Sequence, residues 1–164
     1  EVDFILDGGK TKVGIESTII TLNDKGFEIL RHGAITREEI EKLIPYNSLL
    51  TRSKNIIAPG MLKSHYSPDK PLYIADDFLL RSINRSKAGL LSFTGNQSDG
   101  FKVVINLTSN KNLKEYAVNL FAAIHKLEES DVECIVAEPV PEHGIGFAIM
   151  DRLRKAAYKN SVAN

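Results

Sequence analysis

Three prolines and a glycine within residues 57–71 (I-A-P-G-M-L-K-S-H-Y-S-P-D-K-P) constrain the fold of this chain more than any other stretch. Proline lacks the N–H that a helix interior or a central strand needs, so the stretch can only be an irregular crossing. The residues before each proline, Ala58, Ser67 and Lys70, are pushed toward extended geometry. The expectation is a stiff, stretched ribbon. It carries Met61, Lys63, His65 and Tyr66, a mixture of apolar, cationic and aromatic groups that a passive spacer does not need. Two readings stay open: an interdomain linker whose aromatic side chain packs on one domain, or a strap that lies over a ligand.

The ribbon divides the chain into residues 1–44, a joint at 45–71 and residues 72–164. The first segment is too short for a stable core of its own, and it opens inside an apolar run, so sequence upstream is expected to be missing. With 164 residues and 43% hydrophobic content, the chain can bury one good core or two small ones. No run approaches the roughly 18 apolar residues that span a bilayer, and the N-terminus lacks a basic region leading into an apolar stretch. A cytoplasmic protein without membrane contact is the default expectation. Net charge is zero, which gives no global case for nucleic-acid binding. Only the joint is basic, with four bases against one acid. That suits a small anionic ligand near the joint, or simply a solvated segment.

Taken in order, residues 2–6 (V-D-F-I-L) read as a short strand closed by the turn Asp7-Gly8-Gly9. Residues 13–22 and 27–31 then read as two strands of a hairpin around Asn23-Asp24-Lys25-Gly26. Thr36 and Glu39 form a capping-box pattern for a helix that stops by Ile44, before Pro45. After the joint, strand and helix alternate. Strands are expected at 72–75, 89–93, 101–107 and 134–137. Helices are expected after Asp76 to about residue 84, at 112–129 and at 146–159. In the second of these, Leu113, Tyr116, Ala117, Leu120, Ala123, Ile124 and Leu127 share one face. Strands that are apolar on both faces predict a parallel sheet covered by helices, an α/β fold.

No constellation for covalent catalysis is evident in the residues. His32, His65, His125 and His143 lack metal-ligand spacing, and the single cysteine, Cys134, lies in an apolar run as a small buried side chain. Ser17, in G-I-E-S-T-I-I, is not in a nucleophile-elbow context. Ser17 and Thr18 act as hydrogen-bond donors or serve only as strand residues. Arg31, at the end of an apolar strand and near Gly33, suits a carboxylate or phosphate, with a surface salt bridge as the alternative. The loop at 139–146 (P-V-P-E-H-G-I-G) is either an anion-holding helix N-terminus or a tight structural turn.

Five blocks carry a family resemblance: D-F-I-L-D-G-G (3–9), G-I-E-S-T-I-I (14–20), I-L-R-H-G-A-I-T (29–36), A-P-G-M-L-K-S-H-Y-S-P (58–68) and G-F-A-I-M-D-R-L-R-K-A-A (146–157). In order and spacing the chain resembles the C-terminal part of the long, two-domain threonylcarbamoyl-AMP synthases. The resemblance implies a truncated piece of a YrdC-like twisted α/β catalytic domain at 1–44, a proline-containing linker at 45–71, and a Rossmann-like α/β domain with a parallel sheet at 72–164. It further implies an enzyme that condenses L-threonine, bicarbonate and ATP, with Mg2+, into threonylcarbamoyl-adenylate and pyrophosphate. The product feeds a tRNA-modification machinery that threonylcarbamoylates adenosine. By the matching motifs, Ser17 contacts threonine, while Arg31 and Tyr66 contact the nucleotide. No catalytic side chain and no metal ligand is implied in this chain. The family's N-terminal nucleotide motif is absent, so the isolated chain is expected to be inactive. His32 departs from the pattern, standing where the family usually has proline. The alternative is a non-catalytic small-molecule-binding or interaction module.

Overall fold

The computed structural model describes residues 3–9, 11–47 and 67–161, with side chains as far as residue 157. Met61, Lys63, His65 and Tyr66 lie outside the described residues, as does most of the joint.

The chain from Leu72 onward is built on four short parallel strands: β3 (Leu72–Ile74), β4 (Ala88–Ser92), β5 (Val103–Asn106) and β6 (Cys134–Ala137). They lie in the order β3-β6-β4-β5. Each strand is apolar on both faces because helices cover both. Leu91, Ile135 and Ala137 point to the larger core, shared with helices α3 (Leu113–Glu129) and α4 (Gly146–Ser161). Leu90, Ala88 and Val136 point the other way, against α2 (Asp77–Ser82). The period-2 alternation of the strands thus meets the 3.6 period of the helices on two sides. In α3 the predicted face is the buried one: Tyr116, Ala117, Leu120, Ala123, Ile124 and Leu127. Gly89 is set by packing, since a Cβ there would come 2.8 Å from Leu127 Cδ2.

Strands β4 and β5 are parallel neighbours joined by residues 93–102 with no helix between them, so the crossover needs other supports. Arg85, in a short 3-10 turn, supplies one. Its guanidinium donates to Leu80 O and Asp99 O at 3.1 and 3.0 Å and lies 5.3 Å over the Phe101 ring. Glu138, just past β6, supplies the other. Its buried carboxylate accepts from the Phe93 and Thr94 amides at 2.6 and 2.7 Å and from the Ser92 hydroxyl at 3.1 Å. Full hydrogen bonding is what makes a buried carboxylate tolerable.

The N-terminal segment forms an antiparallel hairpin of β1 (Ile19–Asn23) and β2 (Gly26–Arg31), turning at the predicted Asn23-Asp24-Lys25-Gly26. Its chain then enters the four-residue α1 (Arg37–Ile40), where the Thr36–Glu39 capping box forms as expected. After α1 the chain returns along β2: Phe27 N donates to Pro45 O at 3.0 Å and Asn47 N to Phe27 O at 2.7 Å. The Tyr46 ring meets Phe27 edge-on, and Arg37 lies over its face.

Three expectations are corrected. Residues 3–9 form no strand: Phe4, Ile5 and Leu6 are almost fully exposed, and an apolar run with no ladder to join stays irregular. The turn at its end does form, as Gly9 N donates to Asp7 Oδ1. The strand expected from residue 13 begins only at Ile19. Val13 and Ile15 instead pack on the larger core, and Gly14, at φ 73°, presses so close to α3 that a Cβ would sit 2.4 Å from Val118 Cα. Tertiary docking overrides strand propensity there. The second helix also ends at Ser82, two residues short of expectation, with Ile83 as its cap.

Candidate functional site

The hairpin ends where Ile19 pairs with Arg31, at a register shift between Ile19 and Ile20. Irregularities of this kind re-aim a side chain at a strand end. Here the guanidinium of Arg31 turns back over the preceding segment: Nε donates to Ser17 O at 3.0 Å and Nη2 to Ser17 Oγ at 3.1 Å. Two of the residues singled out from sequence are therefore brought into direct contact. Ser17 is exposed and Arg31 half-buried, so a small molecule can reach both. Thr18 Oγ1 donates to Ile35 O at 2.6 Å and serves the local backbone.

Segment 16–18 belongs to no strand and is shaped by its neighbours. Gly33 is buried against it, and a Cβ at Gly33 would meet Thr18 N at 2.3 Å and Glu16 O at 2.4 Å. Helix α4 meets the segment from the other side. Arg152, 1% exposed, directs Nε and Nη2 at Glu16 Oε2, each at 2.9 Å, and Nη1 at Asp151 Oδ2 at 2.6 Å. Lys155 adds a second cation on Asp151 Oδ2 at 2.7 Å.

His32 stacks on Phe147 of α4, with ring centroids 5.5 Å apart and 24° between planes. Burial pushes its pKa below the ordinary value; Asp151 opposes the shift, and Arg152, Lys155 and Arg37 reinforce it. The loop before α4 is a structural turn. His143 N donates to Pro141 O, Gly146 N to His143 O, and a Cβ on Gly146 would strike Pro141 O at 2.0 Å. The anion its Gly144 N–H meets is the protein's own Glu38, 3.3 Å away. Hydrogen bonds from its own backbone N–H, then from Gly144 and Thr36, hold the Glu38 carboxyl below the usual range against a smaller effect of burial.

A second concave feature lies at the C-terminal ends of β4 and β5. It is a cavity of about 620 Å³ walled by Phe93, Thr94, Asn106, Ser109, Lys111 and Glu115, among others. The connection leaving β4 begins at Phe93 in the larger core and crosses to Phe101 in the smaller one, while the one leaving β5 runs through Leu107 to α3, and the crevice lies between them. Behind Phe93 the Tyr116 hydroxyl is fully buried, without a hydrogen-bond partner among the described residues. Burial raises its pKa, and Glu138 adds to the effect.

Among the described residues no group of three or more His, Cys, Asp or Glu side chains could hold a metal ion. Cys134 is half-buried and its thiol pKa is raised, first by burial and then by Glu133, which disfavours the thiolate. No helix among the described residues is long and apolar enough to cross a membrane. Tyr66, the third predicted site residue, lies outside the described residues.

Reading the residues singly missed the Glu16–Arg152 contact. Its signal was present: Arg152 falls on the helical face of Ile149, Leu153 and Ala156, where a charge needs a buried partner.

A parallel, helix-covered sheet, with Val13 and Ile15 of the N-terminal segment packed on its larger core and an exposed serine bonded to an arginine beside them, defines a Rossmann-like α/β module. The chain belongs to the threonylcarbamoyl-AMP synthase C-terminal domain family, whose model matches residues 35–158. It is 33% identical to the threonylcarbamoyl-AMP synthase of Bacillus subtilis (strain 168), over 93% of this chain and 48% of that protein. It is also 33% identical to the threonylcarbamoyl-AMP synthase of Pyrococcus abyssi, over 96% of this chain and 50% of the relative. The crystal structure of P. abyssi Sua5 complexed with L-threonine superposes with a TM-score of 0.69 at 32% identity, covering 93% of this chain and 48% of that one. The chain thus spans about half the length of the curated relatives it matches.

Proposed function

We propose that this chain is the C-terminal part of a two-domain threonylcarbamoyl-AMP synthase. Residues 1–44 would be the end of a YrdC-like catalytic domain, 45–71 its linker and 72–164 the Rossmann-like domain. The observation that carries the reading is the 33% identity to the B. subtilis synthase over 93% of the chain. The reaction joins L-threonine, bicarbonate and ATP. The threonine nitrogen bonds to the bicarbonate carbon with loss of water; a carbamate oxygen then bonds to the ATP α-phosphorus, the α–β phosphoanhydride bond breaks, and pyrophosphate leaves. No bond to the protein is required, so positioning and charge stabilisation carry the rate. Mg2+ would arrive on the ATP phosphates as part of that substrate. The adenylate would pass to tRNA-modifying partners, which carries with it the cytoplasmic location expected from sequence.

In this reading Ser17 contacts threonine, and Arg31 and Tyr66 contact the nucleotide, each by its place in a matching motif. The Arg31–Ser17 bonds support the first two roles, because they link the proposed threonine and nucleotide contacts directly. A guanidinium whose Nε and one Nη are fixed by Ser17 keeps a rigid, planar charge at the strand end, suited to a phosphate or carboxylate.

The test is pyrophosphate release from ATP by the full-length protein. Release should require both threonine and bicarbonate, and the 164-residue chain alone should give none. Arg31→Ala should lower kcat/KM by about 2–4 kcal/mol of transition-state stabilisation, with Arg31→Lys restoring only part. Wild-type kcat/KM in both variants would reduce Arg31 to a surface residue. A second reading, a non-catalytic small-molecule module, is favoured by the cavity at the ends of β4 and β5. Calorimetric titration of the 164-residue chain with ATP, threonine and the adenylate product separates the two, since the synthase reading predicts weak or no binding to part of a site and the module reading predicts binding.

A further inference from the structure

The geometry points to Arg152, in the α/β domain, as a positioning residue of the Ser17–Arg31 site that acts through Glu16. The inference rests on the reading of Ser17 and Arg31 as substrate contacts. Segment 16–18 is in no strand, so no ladder fixes the Ser17 backbone. What holds it is Arg31 within the hairpin, the buried backbone of Gly33 on one side and Arg152 on the other. Arg152 is almost completely buried, while the Glu16 side chain is 32% exposed at the rim. Nε donates to Glu16 Oε2 at 2.9 Å and Nη2 lies 2.9 Å from the same oxygen as an ion-pair contact, so one buried, planar cation sets where the Glu16 carboxylate sits. Glu16 is the residue next to Ser17, so any rotation of its peptide moves the Ser17 carbonyl that accepts from Arg31 Nε.

The cluster is balanced, two cations, Arg152 and Lys155, against two carboxylates, Glu16 and Asp151. Asp151 also pairs with Arg152 and is shared with Lys155. Losing Glu16 therefore leaves Arg152 with a carboxylate partner, whereas losing Arg152 removes the side-chain bond by which α4 holds Glu16 in segment 16–18. Around this bond the same two parts meet again, in the His32–Phe147 stack and the Gly144–Glu38 bond. Helix α4 thus acts as a rigid backing for the substrate-facing segment, and Arg152 is the contact nearest to Ser17.

Glu16→Gln is the decisive variant because it keeps side-chain size and leaves Arg152 paired with Asp151. In the full-length protein the KM for L-threonine should rise on the order of tenfold with kcat changed much less; the melting temperature should fall, because Arg152 keeps only the carboxylate it shares with Lys155, while the protein stays folded at the assay temperature. Arg152→Lys should show the same rise, since a point charge cannot replace a planar guanidinium that bonds Glu16 through Nε and Asp151 through Nη1. The double variant Glu16→Gln, Arg152→Lys should be no worse than the weaker single one, as expected when two residues act through one contact. A wild-type threonine KM in Glu16→Gln, or effects that multiply independently, overturns the proposal. A second readout does not depend on the enzymatic reading. In the 164-residue chain the NMR resonance of the Arg31 Nε–H, bonded to Ser17 O, should shift in Glu16→Gln. If that resonance is unchanged the positioning role is lost, whatever the activity; if it shifts while the wild-type protein shows no dependence on threonine, the assigned reaction fails and the structural coupling stands.

Discussion

His32 shows how one residue can be restrained from both parts of the fold. Its ring lies against Phe147, and the charged groups facing it are Asp151, Arg152 and Lys155 of α4, Arg37 of α1 and Glu142 of the loop before α4. Burial and the three cations outweigh Asp151, so the folded protein favours neutral imidazole and its pKa falls below the ordinary 6.5. The unfolded chain takes up a proton at a higher pH than the folded one. Stability from this residue is therefore fully present above about pH 6.5 and declines as pH falls through the folded pKa. Glu38, Glu39 and Glu142, whose carboxyls lie below their usual range, lose their contribution only at lower pH still. Thermal melts at about pH 7.5 and 5.5 should thus show a drop that shrinks in His32→Gln, the two other described histidines being common to both proteins. An equal drop in both proteins would show that His32 does not set it. Sequence singled out this position as a departure from proline, but apart from Arg37 the neighbours named here come from residues more than a hundred positions away.

The elements formed largely where local chemistry required them. Asp76, Asn112 and Thr36 each cap the helix that follows, and the hairpin turned at its Asn-Asp-Lys-Gly. In α3, Asn112 Oδ1 accepts from Lys114 N and Glu115 N at 2.9 and 3.2 Å, while Glu115 turns back to bind Thr108 and Ser109. Asn112→Ala should cost about 1 kcal/mol of stability, seen as a fall of ~2–4 °C in melting temperature. Elements failed to form as expected where they needed a partner beyond their own residues. Residues 3–6 have strand composition but no ladder, and residues 13–18 traded a strand for docking on α3.

For the whole molecule the larger core is shared, with Val13 and Ile15 of the N-terminal segment packed on the same cluster that α3, α4 and the sheet enclose. Gly14 is the tightest contact of that docking, at a positive φ that L residues rarely adopt and with the α3 backbone against it. Gly14→Ala should release the segment and leave the sheet intact. Hydrogen exchange should then accelerate at residues 13–33 while the amides of β4 and β6 stay protected. Uniform acceleration across the sheet would mean that segment and sheet unfold as one unit.

Sequence alone determined the parallel sheet, its helix faces, the caps and the turns, because each follows from periodicity or from a donor that a nearby side chain satisfies. It also picked out Ser17 and Arg31, whose residue types suit a polar ligand. Only the tertiary structure decided that they bond to each other, that Glu16 is held by a buried arginine of α4, and that the glycine loop before α4 faces Glu38. The physical reason is separation along the chain. Glu16 and Arg152 are 136 residues apart, and no local pattern records which distant charge will meet a buried one once the helices have packed.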